Sequence, residues 1–314
     1  MNVVLTGSLA IDRIMDFPGL FAEHILPNKI HQLSVSFNIE RLEEKRGGTA
    51  GNIAYSLALL GRQPVIVASA GNDFTNYLDY IKNLGLSVAG IEIQDKTTTA
   101  SAYITTDTTN NQITAFYMGA MAAETTATVA DFSDDTIFVL SAGNKFDMLR
   151  YATESKALGR RYIFDPGQTL PFLESDEIKT LIDGAYILIV NDYELEMILT
   201  RTKLTEAEVA EMVEIMITTL GANGSKIVQS GKVVEIPVCP VLDQKDPTGA
   251  GDAYRAGLIA GLMAGLDLTQ CGRLGSTAAA YAIEQYGTQE HTYTSQEFAS
   301  RYEQAFAEPC PVVS

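Results

Sequence analysis

Short apolar runs alternate with helix-spaced apolar stripes along most of the chain. Residues 3–5 are an apolar run ending at Thr6-Gly7-Ser8, which predicts a buried strand leading into a turn. Ile53, Leu57 and Leu60 recur at helical spacing and stop at Gly61, a helix closed by a glycine at its C-cap. A strand at 65–68 and a helix at 74–84 repeat the unit, and such alternation predicts a parallel sheet. It resumes with strands at 137–140, 162–164 and 186–190, a helix at 148–158 and another beginning at Asn191. There follow a helix at 206–217 and a hairpin of 226–229 with 232–236, turning at Ser230-Gly231. Helices at 253–266, 270–284 and 296–306 come last, with a frayed tail over 308–314.

Two segments break this rhythm. Residues 27–46 alternate in places, as in Leu33-Ser-Val-Ser-Phe37, and predict strands. Residues 97–121 are threonine-rich, with Asp107-Thr-Thr-Asn-Asn111 as the turn between strands at 100–105 and 112–117. Together they predict one small sheet, a discontinuous lid from about 13–46 and 97–121 of a single domain spanning 1–314. Such a sheet lies over one end of the main sheet and can close on a ligand.

Composition narrows the partners. With 22 Lys and Arg against 39 Asp and Glu, the formal charge of −17 disfavours nucleic-acid backbones and anionic membranes. Local backbone amides can still hold a phosphorylated ligand. Cys239, Cys271 and Cys310 are odd in number and widely spaced, which points to a reducing, cytoplasmic compartment without zinc or disulfides. The apolar run 256–266 is too short for a membrane span and the N-terminus has no basic leader, so a soluble, unprocessed protein is expected.

Candidate chemistry concentrates in Asp246-Pro-Thr-Gly-Ala-Gly-Asp252. Gly249, Ala250 and Gly251 carry almost no side chain ahead of a helix, so an anion can approach their N–H groups at the positive end of the dipole. Asp252 in the first turn then suits one task, taking a proton from a hydroxyl that attacks a phosphoryl group. A stabilising first-turn aspartate beside an ordinary turn is the plainer alternative. Arg46-Gly-Gly-Thr-Ala-Gly-Asn52 is a second glycine-rich turn, where Gly47 and Gly48 admit a ligand and Asn52 donates and accepts; close packing and simple capping read equally well. Asp12 follows the first strand, where open sheets bind ligands, and can accept from two neighbouring hydroxyls. Asn191 and Glu194 form a capping-box pattern, or a carbonyl and carboxylate able to hold the water shell of magnesium. Thr219, Gly221 and Gly224 line either a plain loop or a nucleotide's phosphates.

Taken together, the two glycine-rich signatures, in this order and at this separation, resemble the PfkB carbohydrate kinase family over essentially the whole chain. The resemblance implies a ribokinase-like three-layer α/β/α sandwich with a mostly parallel central sheet and a small β-sheet lid. It implies Asp252 as base with the anion hole at Gly249, Ala250 and Gly251. Asn191 and Glu194 fall on a magnesium- and phosphate-linked motif, and Thr219, Gly221 and Gly224 on the ATP loop. Asp246 and Thr248 mark where members activated by potassium bind it.

Gly7-Ser-Leu-Ala-Ile-Asp12, Phe116-Tyr-Met-Gly-Ala-Met121, Asn191-Asp-Tyr-Glu194 and Gly287-Thr-Gln-Glu290 are similar to the actinobacterial type of adenosine kinase. That likeness places Ser8, Asp12, Gly48 and Asn52 around a ribose, and Ser36, Phe37, Phe116 and Gln168 near a base. Ala102 departs from it, since that subgroup can carry a phenylalanine there. Relatives that pair through the lid imply a homodimer.

The expected activity is magnesium- and ATP-dependent phosphorylation of a ribonucleoside 5′-hydroxyl, adenosine first, with a free sugar as the alternative acceptor. An NAD-dependent oxidoreductase is disfavoured because the first forty residues lack a Gly-x-Gly-x-x-Gly turn. Lys226 and Lys232 lack P-loop spacing. A binding module without catalysis is disfavoured by Asp252.

Overall fold

The structure is a computed structural model and describes residues 1–25, 31, 34–109 and 111–312. In chain order its elements begin β1 (Asn2–Thr6), β2 (Ala10–Asp16), the single turn α1 (Phe21–His24), β3 (Arg41–Gly47), α2 (Thr49–Leu59), β4 (Val65–Gly71), α3 (Thr75–Asn83), β5 (Ile91–Gln94), β6 (Ala100–Thr106) and β7 (Gln112–Tyr117). Next come β8 (Thr136–Leu140), α4 (Lys145–Ala157), β9 (Tyr162–Phe164), α5 (Ser175–Ile182), β10 (Ile187–Asn191), α6 (Asp192–Thr202) and α7 (Glu206–Glu211). The chain closes with β11 (Ile215–Thr219), β12 (Ser225–Gln229), β13 (Lys232–Ile236), α8 (Ala250–Met263), α9 (Leu268–Ile283) and α10 (Ser295–Phe306).

Among the described residues nine strands form the large sheet, in the order β13-β12-β11-β10-β9-β8-β1-β4-β5. All neighbours from β11 to β5 run parallel, and β12 and β13 add an antiparallel edge hairpin. The strands are apolar on both faces because each face is covered by helices. Val3, Leu5, Ile187, Ile189, Ile215 and Ile217 pack into one core with Ile53, Leu57 and Leu258, from α2 and α8. Val4, Leu188, Val190 and Met216 point the other way, to Met148, Ile178 and Ile198 from α4, α5 and α6. This alternation makes three layers of helix, sheet and helix.

The small sheet has the order β3-β2-β6-β7, with β2 and β6 parallel and both outer pairs antiparallel. It begins at Ala10, so Asp12, which follows the first strand as expected, lies within β2. Residues 34–39 form no strand. Phe37 packs instead into an aromatic group, 4.9 Å from Phe17 and 5.1 Å from Phe21 by ring centroids. Residues 26–30, 32 and 33, which include part of that expected alternation, lie outside the described residues, as does Asn110 of the 107–111 turn.

The helix expected over 206–217 stops at Glu211, and Ile215–Thr219 is a central strand. A continuous apolar run buried on both faces has no periodicity that separates helix from strand, and the place between β10 and β12 decides it. β5 and α5 were not expected. The tail does not fray at its start, because Glu308 pairs with Arg273 at 2.6 Å and Cys310 is buried; residues 313 and 314 lie outside the described residues. All three cysteines are buried. No described helix is long and apolar enough to cross a membrane.

Candidate active site

The parallel strands end together at Thr6, Leu140, Phe164, Asn191 and Thr219, and open α/β sheets bind ligands outside such carboxyl ends. The N-terminus of α8 points into the same region. Gly249 is its N-cap with φ 80°, a conformation natural to glycine, and a Cβ there would press on Thr288. Among the described residues the N–H groups of Gly251 and Asp252 take no backbone acceptor, so they remain available to an anion.

Asp252 faces α2, where Asn52 donates from Nδ2 to its Oδ2 at 2.8 Å. Burial pushes the Asp252 carboxyl above the usual carboxylate range, Arg255 and the Asn52 amide pull it back, and the charges of Asp12 and Glu194 push it up again. A carboxylate held in this way binds a proton more readily than one in water and still ionises, which suits a general base.

Arg255, one helical turn on from Asp252, is 8% exposed and pairs with the buried Asp165 at 2.5 Å. Burial works against its charge, but Asp165, Asp252 and Glu194 together keep it protonated. Gly251 makes room for it, since a Cβ there would lie 2.7 Å from Arg255 Nη1. Neither Asp165 nor Arg255 was singled out as a site residue. The signals were present: Asp165 ends a strand as Asn191 does, and a position three residues from Asp252 shares its helix face.

The glycine turn before α2 packs against the link from β1 to the start of β2. Gly48 is the N-cap with φ 89°, and any Cβ would strike the backbone at Ser8 and Ala10. Without a capping side chain of its own, the helix start is held by Ser8, whose Oγ accepts from Thr49 N at 3.0 Å. A Cβ on Gly47 would strike the Asp12 carboxylate, so the missing side chain is what admits Asp12. Burial pushes the Asp12 carboxyl up to about 6. Asp12 and Asp252 are close enough for each to oppose the other's charge.

Register sets Asn191 beside Thr219 on adjacent strands. Asn191 and Glu194 form the expected capping box, with Glu194 N donating to Asn191 Oδ1 at 2.7 Å and Asn191 N to Glu194 Oε2 at 2.9 Å. Burial pushes Glu194 up, offset by Arg255. Gly221 and Gly224 have φ 55° and 84°, and a Cβ on Gly224 would collide with the Ile236 carbonyl. Among the described residues no three His, Cys, Asp or Glu side chains gather as a metal site. Glu194 keeps one carboxylate oxygen without a hydrogen bond among the described residues, which fits a magnesium ion that keeps its waters and arrives on a nucleotide. Asp246 accepts from Thr248 N at 2.9 Å and from Gly287 N at 3.1 Å, which fastens the turn before α8 to the 287–291 loop.

The residues expected around a base are more scattered. Phe116 lies on β7 opposite Ala102 and is 51% exposed. Ser36 and Gln168 are exposed, and Phe37 belongs to the aromatic group at Phe17 and Phe21. Gln289, which donates to Asn52, and Tyr77, which accepts from Gln289, were not anticipated.

The model of the pfkB family of carbohydrate kinases matches residues 2–295. A nucleoside kinase of Methanocaldococcus jannaschii is 30% identical over 305 residues, 96% of this chain and 97% of that one. A solved nucleoside kinase of Burkholderia thailandensis, in complex with inosine, is 35% identical with a TM-score of 0.86, covering 98% of this chain and 99% of its own. The fold alone is shared with a ribokinase of Thermotoga maritima, 20% identical with a TM-score of 0.81 over 96% of this chain and 99% of that one. The chain belongs to the PfkB family of carbohydrate kinases, and its fold is the ribokinase-like one. It is a phosphotransferase with an alcohol group as acceptor.

Proposed function

We propose that the protein transfers the γ-phosphoryl group of ATP to the 5′-hydroxyl of a ribonucleoside, with adenosine as the first acceptor to test. The observation that carries the reading is Asp252, half-buried in the first turn of α8 beside free N–H groups and oriented by the Asn52 amide. Asp252 takes the hydroxyl proton while that oxygen forms its bond to phosphorus, the bond from phosphorus to the β,γ-bridging oxygen breaks, and ADP leaves. Of the anion hole expected at Gly249, Ala250 and Gly251, the Ala250 N–H is taken by the Pro247 carbonyl at 3.2 Å, so the open N–H groups of Gly251 and Asp252 meet the charge on the transferring group. Magnesium, held through Glu194 with its water shell, neutralises phosphate charge when bound. Asp12, at the Gly47–Gly48 turn, accepts from the ribose hydroxyls.

A nucleoside acceptor is supported by relatives that are nucleoside kinases, one of them holding inosine. Adenosine in particular rests on the likeness to the actinobacterial kinases. The four-stranded sheet is taken as the lid of a single domain over 1–314, with Ser36, Phe37, Phe116 and Gln168 toward the base. Its exposed Leu42, Ile113 and Tyr117 suit pairing of two lids in a homodimer. A cytoplasmic enzyme of nucleoside salvage fits this chemistry, with potassium at Asp246 and Thr248 as an assay variable. A free-sugar acceptor is the second reading, favoured by Ala102, which leaves Phe116 without a facing ring.

The test is ADP release from ATP and magnesium with adenosine, inosine, cytidine, ribose and fructose 6-phosphate, with and without potassium. Turnover with nucleosides, falling by about 10² to 10⁴ in Asp252→Asn with nucleotide binding retained, supports the reading. Preference for a free sugar overturns the acceptor, and full activity in Asp252→Asn overturns the base.

A further inference from the structure

One buried hydrogen-bond chain connects four distant parts of the sequence behind the site. Asp252 Oδ2 accepts from Asn52 Nδ2 at 2.8 Å, and Asn52 Oδ1 accepts from Gln289 Nε2 at 2.9 Å. The same Gln289 nitrogen donates to Tyr77 Oη at 2.5 Å, and Tyr77 donates to the Gly47 carbonyl at 3.0 Å. Gln289, Tyr77 and Asn52 are 3%, 4% and 5% exposed, so water does not readily substitute for a lost partner.

The polarity of this chain is set at both ends, by the Gly47 carbonyl and by the Asp252 carboxylate. A backbone carbonyl only accepts, so Tyr77 must donate to Gly47 and can only accept from Gln289. Gln289 therefore presents its amide nitrogen, whose second hydrogen goes to Asn52 Oδ1. Asn52 is left with its own nitrogen facing Asp252. Were Asn52 turned over, its NH₂ would oppose the NH₂ of Gln289 and its carbonyl would oppose the Asp252 carboxylate.

We propose that Gln289 is a positioning residue for phosphoryl transfer, holding Asn52 in the one orientation that donates to Asp252 and tying the base to the acceptor-binding turn at Gly47. The loop that carries it is anchored on both sides. Lys45 Nζ donates to the Tyr286 carbonyl at 2.9 Å and Thr288 Oγ1 to the Arg46 carbonyl at 3.1 Å, while Gly287 N reaches Asp246. The inference rests on the assignment of Asp252 as base.

The Asp252 carboxylate is also faced by Arg255 from α8, by Asp12 from β2 and by Glu194 from α6, with Asp165 acting through Arg255. None of these changes when Gln289 is replaced. Gln289→Glu offers only acceptors to Asn52 and so turns its carbonyl toward Asp252. The acid limb of kcat/KM then moves up by about one pH unit, and neutral-pH kcat falls about tenfold to a hundredfold. Gln289→Met removes the donor without adding charge and shifts the limb in the same direction by less. Tyr77→Phe removes both the link to Gly47 and the acceptor for the Gln289 amide, so the acceptor KM rises severalfold and the acid limb moves up by less than in Gln289→Met.

The experiment is the pH profile of kcat and kcat/KM for these three variants, with thermal melts, beside Asp252→Asn. Both Gln289 variants folded with the wild-type acid limb overturn the proposal. If Gln289→Glu melts early, Gln289→Met carries the test alone. Turnover retained in Asp252→Asn overturns the base assignment itself, whereas an inactive Asp252→Asn with unshifted Gln289 variants overturns only the role of Gln289.

Discussion

Replacing Asp12 by Asn should stabilise the ligand-free enzyme while weakening its hold on the acceptor. The carboxyl sits against the turn at Gly47, and burial raises it from the ordinary 3.8 to about 6. Above pH 6 it is charged in both the folded and the unfolded chain, and the fold bears the full cost of burying that charge. As pH falls through 6 the folded chain takes up the proton first, so the cost is relieved, and below 3.8 it is gone. The difference between 6 and 3.8 corresponds to about 3 kcal/mol at neutral pH and about half of that by pH 5. An asparagine amide in the same place forgoes a partner at about 1 to 2 kcal/mol, leaving a net gain of about 1 to 2 kcal/mol at pH 8. Thermal unfolding without ligand should show Asp12→Asn melting about 2 to 6 °C above the wild type at pH 8, with the gap closing at pH 5. The acceptor loses a charged hydrogen-bond partner, and its KM should rise about tenfold to a hundredfold. A variant less stable than the wild type at pH 8, or a gap independent of pH, refutes the account of Asp12 as a carboxylate strained by burial and held ready for hydroxyls.

Asp165→Asn leaves Arg255 without its buried counter-ion and should cost about 3 kcal/mol in urea unfolding, while Asp165→Leu combined with Arg255→Met should recover most of it. Equal losses in the single and double variants would show that the charge pair is not what matters there. Phe116→Ala, at a position half open to solvent, should leave the melting temperature within about 1 °C. The same change should raise KM for adenosine more than for ribose, and equal effects on both acceptors would remove Phe116 from base recognition.

Much of the site was legible because its chemistry is local. The glycine turn at Gly249–Gly251, Asp252 one step beyond it, and the Asn191 and Glu194 box all lie within one turn of a helix start, where spacing along the chain is spacing in space. The small sheet was less so. Its hairpin 100–106 with 112–117 followed from a turn and two alternating runs. β3 and the irregular 34–39 segment could not be told apart, because both are polar with scattered apolar residues and only pairing with β2 separates them.

The sequence by itself determined the layers, since runs apolar on both faces alternate with amphipathic stripes and must become a covered parallel sheet. It also determined where a helix opens on a glycine turn with a carboxylate in its first turn, because both are properties of a few consecutive residues. Tertiary structure alone decided that Ile215–Thr219 is a strand, as a slot in the sheet outweighs local preference. It alone brought Asp165 to Arg255 and Gln289 to Asn52, separated by 90 and 237 positions. Such pairings depend on which helices pack together and on the burial that leaves a polar group one available partner, and neither is written in any stretch of neighbouring residues.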